Sequence, residues 1–278
     1  MSAPSLPEAV SLSVVPELGR PRFAQVLGAE WCKLRSLRST YLTLLVTLLL
    51  TAGLSALLCW TYVARYSQLS FSDRIRVADP AFISVSGVLL AQVAVGVLGV
   101  LTMSSEYSTG MIRVTFSAVP RRLEVLAAKV VIFLVVSLGV GVLSGFASFF
   151  AGQAILSRIG LGLSITQPGC LRVAFGVALY LGVLGLIGLA LGAIIRRTAG
   201  AVAALFALLL ILPAIASALP SPWDVDILRY LPDQAGIALL HLIVAPGRLA
   251  PWNGFVVFVA YGAAALLLAA VLVSRRDA

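Results

Sequence analysis

The sequence predicts an all-α membrane protein: six transmembrane helices preceded by an N-terminal amphipathic helix in the membrane interface. Three observations carry this. Of 278 residues, 60% are hydrophobic and only 11% charged, with a mean hydropathy of +1.06; soluble domains carry roughly 25% charged residues. Apolar runs of about 20 residues recur, long enough to cross a hydrocarbon core about 30 Å thick. The runs are continuous rather than alternating, which selects helices over barrel strands as the spanning structure.

Charge and cysteine usage exclude several classes. The net charge of +9 reads as the excess of Lys and Arg that membrane proteins keep on the cytoplasmic side, and no nucleic-acid partner is expected. Cys32, Cys59 and Cys170 lie far apart, each near an apolar segment, and have no metal-ligand spacing. Lysine occurs only at Lys33 and Lys129; the other basic residues are arginine, a composition typical of a GC-rich bacterial genome.

In chain order, residues 1–21 are small, polar and proline-containing and read as a flexible cytoplasmic N-terminus, not a signal peptide, because the first long apolar run starts only at Tyr41. Residues 22–278 read as a single transmembrane domain. In segment 22–38, Phe23, Leu27, Trp31 and Leu34 recur at helical spacing, with Lys33, Arg35 and Arg38 towards the other side. A basic amphipathic helix with a tryptophan lies in the interface more readily than it serves as a mere positive flank. The six spans are expected at about 41–63, 84–103, 127–152, 171–195, 199–217 and 252–273. With both termini cytoplasmic, the inner side holds thirteen Lys and Arg, including Arg113, Arg121, Arg122, Arg196 and Arg197, and the outer side seven. Trp31 then falls at the inner interface, and Trp60, Trp223 and Trp252 at the outer one.

Within the spans, Gly141-x-x-x-Gly145 and Gly188-x-x-x-Gly192 are signals for close helix packing. Gln92, the most polar mid-span group, is expected to make an interhelical hydrogen bond. The last outer loop, about 218–251, contains the apolar piece Ala235–Val244, too short to span and hence re-entrant or interfacial. His241, the only histidine, has no neighbouring ligand in sequence and reads as incidental.

The missing chemistry is informative. All eleven acids lie outside the predicted spans or at their ends, whereas a proton-driven carrier is expected to hold a buried acid. Neither lysine sits in a Gly-Lys-Ser/Thr phosphate-binding loop, and no carboxylate pair, zinc-ligand set or Ser/His arrangement emerges. The chain is therefore expected not to be an enzyme and to be driven by another subunit or to be passive. The polar island from Met103 to Lys129 is where such a partner would act. Ser108 or Thr109 could cap a short helix that presents Met111, Ile112, Arg113 and Val114 before Pro120 stops it. On composition alone the island reads equally as an ordinary polar loop.

Four segments tip that balance: Glu30-Trp-Cys-Lys-Leu-Arg-Ser-Leu-Arg-Ser-Thr-Tyr41, Ser105-Glu-Tyr-Ser-Thr-Gly-Met-Ile-Arg113, Ala118-Val-Pro-Arg-Arg122 with Ala127-Ala-Lys129, and Tyr230-Leu-Pro-Asp-Gln-Ala-Gly236. Together they resemble the permease subunit of bacterial type-2 ABC exporters, above all its actinobacterial members, from about residue 22 to the end. Cys32 departs from that pattern, which leads one to expect a polar or small residue. The resemblance implies a six-helix permease in the bacterial cell membrane, paired with a second copy or a related permease and with two cytoplasmic ABC ATPase subunits that bind ATP and Mg. It implies partner-coupling positions at Glu106, Tyr107, Ser108, Thr109, Gly110, Met111, Arg113, Arg121 and Arg122. Glu30, Trp31, Lys33 and Arg35 would form an elbow helix, and Tyr230, Pro232 and Gly236 would belong to a re-entrant outer gate. The alternatives are a permease that serves as a resistance or sensing module without export, and a membrane-embedded enzyme of lipid or cell-wall precursors.

Overall fold

A computed structural model describes residues 22–36, 38–68, 79–119, 121–221 and 223–275, and every regular element among them is helical. An amphipathic helix α1 (Phe23–Ser36) leads into the first span, α2 (Arg38–Gln68). A short α3 (Pro80–Ile83) precedes the second span, α4 (Val88–Ser108), and α5 (Met111–Ala118) links it to the third, α6 (Arg122–Leu156). Then come α7 (Cys170–Ile195), α8 (Thr198–Ser217), the short α9 (Trp223–Leu228) and α10 (Pro232–Ile237), and α11 (Pro251–Arg275). Six of these, α2, α4, α6, α7, α8 and α11, are long and apolar enough to cross a membrane, so the chain is a multi-pass, all-α membrane protein. Residues 1–21 and Pro120, which entered the sequence argument, and Arg74, Arg76 and Arg276, which its charge count included, lie outside the described residues.

Several helices outrun the expected spans. The second was expected to end at residue 103, yet α4 continues to Ser108; the third was expected over 127–152 and its helix already starts at Arg122. Hydropathy marks where apolar side chains stop, whereas the backbone ladder runs on until a residue breaks it. Here the break is Gly110, whose φ of 71° is left-handed and suits a residue without Cβ. The cap expected from Ser108 or Thr109 is absent. Both hydroxyls donate backwards to the Ser105 carbonyl, at 3.0 and 2.8 Å, and Gly110 is the N-cap of α5 without a side-chain hydrogen bond.

The fourth span, α7, is the axis of the bundle: 72% of its apolar window is buried, against 22% for α2, α8 and α11. Small residues permit this. A Cβ on Gly99 of α4 would stand 2.2 Å from the Gly185 carbonyl, and one on Gly188 would stand 2.2 Å from the Gly96 carbonyl, so the two backbones touch. The other glycine pair, Gly141 and Gly145 of α6, rests on Ala178 and Ala174 of α7. The fully buried Tyr180 hydroxyl donates to Gln92 Oε1 across the α4–α7 contact, the interhelical bond expected of that glutamine.

Hydrogen bonds distinguish two ends of the bundle. At one, Thr198 donates to Ser104 at 3.0 Å, the Arg196 guanidinium lies 4.9 Å over the Tyr107 ring, and Arg122 Nη1 reaches the Val273 carbonyl at 3.5 Å. Helix α1 and the end of α11 both lie there. At the other end the Gln153 amide donates to the Pro80 carbonyl and the Ser84 hydroxyl, at 3.1 and 3.2 Å, and its Oε1 accepts from the Leu163 amide at 2.8 Å. The Ala235–Val244 piece belongs to this second end and folds back into the bundle. Ala235 through Leu240 are buried, while Ile243 and Val244 emerge exposed.

Candidate functional site

Helix α1 leaves part of its apolar stripe on the surface. Phe23 and Trp31 are exposed, Leu27 and Leu34 half-buried, and the residues turned fully inward are Val26 and Glu30. Leu27 and Leu34 pack against the bundle while Phe23 and Trp31 stay on the surface, and a carboxylate points into the protein. It meets Lys129 from the first turns of α6 and Glu106 from the last turn of α4.

The result is a closed ring of charge. Lys129 Nζ donates to Glu30 Oε2 and to Glu106 Oε1, both at 2.6 Å. Lys33 Nζ, one turn along from Glu30, donates to Glu30 Oε1 at 2.7 Å, to Glu106 Oε1 at 3.0 Å and to the Thr115 hydroxyl of α5 at 3.3 Å. Two ammonium groups balance two carboxylates. Glu30, Glu106 and Lys129 are all buried, so each charge needs the others to offset its lost hydration. Lysine suits this geometry because an ammonium is a compact charge with three diverging donors, unlike the planar guanidinium fork. Burial pushes the half-exposed Lys33 ammonium down, but the hydrogen bond and charge of Glu30 and the charge of Glu106 outweigh it, and its pKa stands above the ordinary value. Beside the ring a cavity of about 360 Å³ opens between α1, α2, α4 and α6, walled mainly by Leu34, Leu98, Leu101 and Ile132 with Thr102 and Ser105 among them.

The structure sorts the residues expected to couple to a partner. Glu106 is inside the ring and buried, so it offers no surface. Ile112 is also buried, at 2% exposure, and does not belong to the presented face; Met111, Arg113 and Val114 are exposed, Val114 at 67%. Tyr107 is half-buried under Arg196, while Ser108, Thr109 and Gly110 are exposed at the turn. Arg121 is exposed and paired with Glu124 at 2.6 Å, which raises its pKa further, and Arg122 packs over the Phe116 ring. In α1, Glu30 and Lys33 enter the ring, whereas Trp31 and Arg35 stay exposed. Lys129 and Thr115 were not singled out as site residues. The signal that could have found Lys129 is composition: the chain has two lysines, and both end in one cluster.

At the opposite end, Tyr230 is exposed, while Pro232 and Gly236 are buried. A Cβ on Gly236 would meet the Tyr180 ring at 2.7 Å and Phe258 at 2.8 Å, so α10 is wedged between α7 and α11. Two expectations change here. Placing every acid outside the spans suggested an interior free of carboxylates, yet Asp233 is buried in α10, as Glu30 and Glu106 are at the other end. Elements that are not spans carry two of these acids inward, a step invisible to hydropathy. Burial pushes the Asp233 carboxyl up against hydrogen bonds from Gln234, and its Oδ1 has no partner among the described residues. His241 is not incidental to the fold. Its Nδ1 lies 3.1 Å from Asp79 Oδ2, its ring stacks on Phe82 at 4.0 Å, and Arg248 Nη1 contacts its Nε2. Asp79 also accepts from the Phe82, Leu242 and Ile243 amides, at 3.1, 2.9 and 3.2 Å. Burial pushes its carboxyl up, and the hydrogen bonds from His241 and the backbone outweigh that, so it titrates below the usual range. No group of three or more His, Cys, Asp and Glu is placed to hold a metal among the described residues.

No family model matches the chain, and no curated protein matches it.

Proposed function

We propose that the chain is the permease subunit of an ABC exporter, moving a substrate across the bacterial cell membrane with ATP hydrolysed by separate cytoplasmic subunits. One observation supports this above the others. The segments that carry the resemblance, around Glu30, Glu106 and Lys129, are distant in sequence and meet in a single buried ion ring. That ring ties the amphipathic helix to the end of the second span and the start of the third. Helix α5 hangs from the same joint through Thr115 and exposes Met111, Arg113 and Val114.

A push on α5 from a partner would then be passed to α4 and α6 together and to α1 in the interface, because buried opposite charges resist separation. In this reading both termini are cytoplasmic, which the Lys and Arg bias favours. The ATPase binds ATP and Mg, and this chain contributes the pathway and the coupling surface. The permease acts as a pair, with a second copy or a related chain.

The test is purification of the tagged chain from its native membrane in mild detergent. A stoichiometric ATP-binding subunit that dissociates in Val114→Asp supports the reading. A pure chain with no nucleotide-binding partner, or one with turnover of its own on a lipid precursor, sinks it.

A further inference from the structure

The end of the bundle opposite the ion ring carries a second, smaller pocket of about 200 Å³, and its lining has an uneven chemistry. Arg229 and Arg248 face it together with the Gln234 side chain, Val225, Leu228 and the 246–249 turn, and no carboxylate is among the lining residues. Two guanidinium groups beside one small space, at the end with the smaller share of Lys and Arg, call for a physical reason, since like charges repel unless something negative lies between them.

Neither arginine is fully used among the described residues. Arg229 has one carboxylate, Asp226, at 2.8 Å from Nη2, and Asp226 is more than half exposed. Its Nε–H is buried without an acceptor among the described residues, a state that costs free energy until an acceptor is supplied. The plane of the group lies 5.1 Å over the Tyr230 ring. Arg248 spends Nη1 on His241 Nε2 and is otherwise exposed. Gly247, with φ of 83°, sets the turn that brings Arg248 to the pocket.

The surroundings identify the source of the missing acceptor. Trp223 is 64% exposed, Ile243 55% and Val244 49%, and each lies within a few positions in the chain of a pocket-lining residue, Val225 or Pro246. Exposed tryptophan and aliphatic side chains around arginines are what a membrane–water interface accommodates. We propose that Arg229 and Arg248 form a binding site for the phosphate of an anionic lipid headgroup at this end of the bundle. Guanidinium groups match phosphate oxygens with paired, charge-assisted hydrogen bonds. Arg248 in turn leans on His241, which pairs with Asp79, so a bound headgroup would brace the exit of the re-entrant segment against the start of the second span. This site is independent of the exporter reading.

The experiment compares the purified full chain in nanodiscs of phosphatidylcholine with increasing fractions of phosphatidylglycerol, reading the melting temperature and the lipid retained in native mass spectrometry. Phosphatidylglycerol should raise the melting temperature and be retained selectively. Arg229→Gln should weaken that preference about tenfold or more, the loss of one set of charge-assisted bonds. Arg229→Lys should recover part of it, and Asp226→Asn, which removes the competing carboxylate, should strengthen it. Arg158→Gln, a change at the same end beside Trp60, should leave it unchanged. A second arm titrates inorganic phosphate in phosphatidylcholine discs at constant ionic strength. Saturable binding there without selectivity for phosphatidylglycerol would overturn the lipid assignment, and absence of both effects, or a response equal in Arg229→Gln and Arg158→Gln, would overturn the site.

Discussion

Lys129 and Glu30, 99 positions apart in the chain, are joined by a buried ion pair of 2.6 Å. The pair welds the interfacial helix to the third span. Removing the ammonium leaves two buried carboxylates sharing the single Lys33 ammonium, with one negative charge uncompensated. Lys129→Met is therefore expected to destabilise the protein by about 3–5 kcal/mol. Lys129→Arg should also cost stability, because a planar fork cannot replace an ammonium between two carboxylates from different helices. The triple change of Glu30, Glu106 and Lys129 to apolar residues of similar size should recover much of the loss. Thermal unfolding of the purified variants decides this, and a Lys129→Met protein as stable as wild type would contradict the ring.

Lys33 makes the same joint sensitive to alkali. Its folded-state pKa is raised, so the folded form holds the proton more tightly than the unfolded chain. Its contribution is fully present below the ordinary lysine value of 10.5 and is lost as pH rises through the higher folded value. Lys33→Met should flatten the alkaline limb of the stability profile relative to wild type, as measured by denaturation across the alkaline range.

Asp233 titrates with the opposite consequence. Burial raises its pKa, so the folded state prefers the neutral acid. The penalty is absent below the ordinary value of 3.8 and grows as pH rises above it. Asp233→Asn should melt higher than wild type at neutral pH, with the difference shrinking on acidification. A variant that melts lower at every pH would show that the charged carboxylate supports α10.

The exposed face of α5 and the buried ring should separate under mutation. Arg113→Glu and Val114→Asp alter surface positions and are expected to leave thermal stability within about 0.5 kcal/mol while abolishing co-purification of an ATPase. Glu106→Ala should lower stability as well as coupling, because Glu106 is buried. If the Arg113 and Val114 variants retained full ATP-coupled activity, α5 would not be the contact.

At the crossing of α4 and α7 there is no room for a side chain. Gly188→Leu would drive its Cβ into the Gly96 carbonyl, 2.2 Å away, and should cost at least about 1–3 kcal/mol. Gly139→Leu on the open face of α6, where nothing lies within 4 Å of the added Cβ, is the control and should be nearly neutral.

The sequence by itself determined the approximate spans, the amphipathic helix and a piece too short to span, left open as re-entrant or interfacial. Each follows from the run length and periodicity of apolar residues within one segment, a local property. Lys33 stood out locally as a basic residue of the amphipathic helix, whereas Glu30 entered only through the family resemblance. Only the tertiary structure decided what these charges do. Whether Lys129 is a flanking charge or the centre of a ring depends on Glu30 and Glu106 arriving from two other helices. That meeting is set by the glycine contacts of the bundle and by the extension of α4 past its apolar end to Gly110. The burial of Asp233 and the pairing of His241 with Asp79 likewise arise from a loop folding back, with partners more than a hundred residues apart. Periodicity records which face of a helix avoids water; it carries no record of which charge will be waiting on the other side.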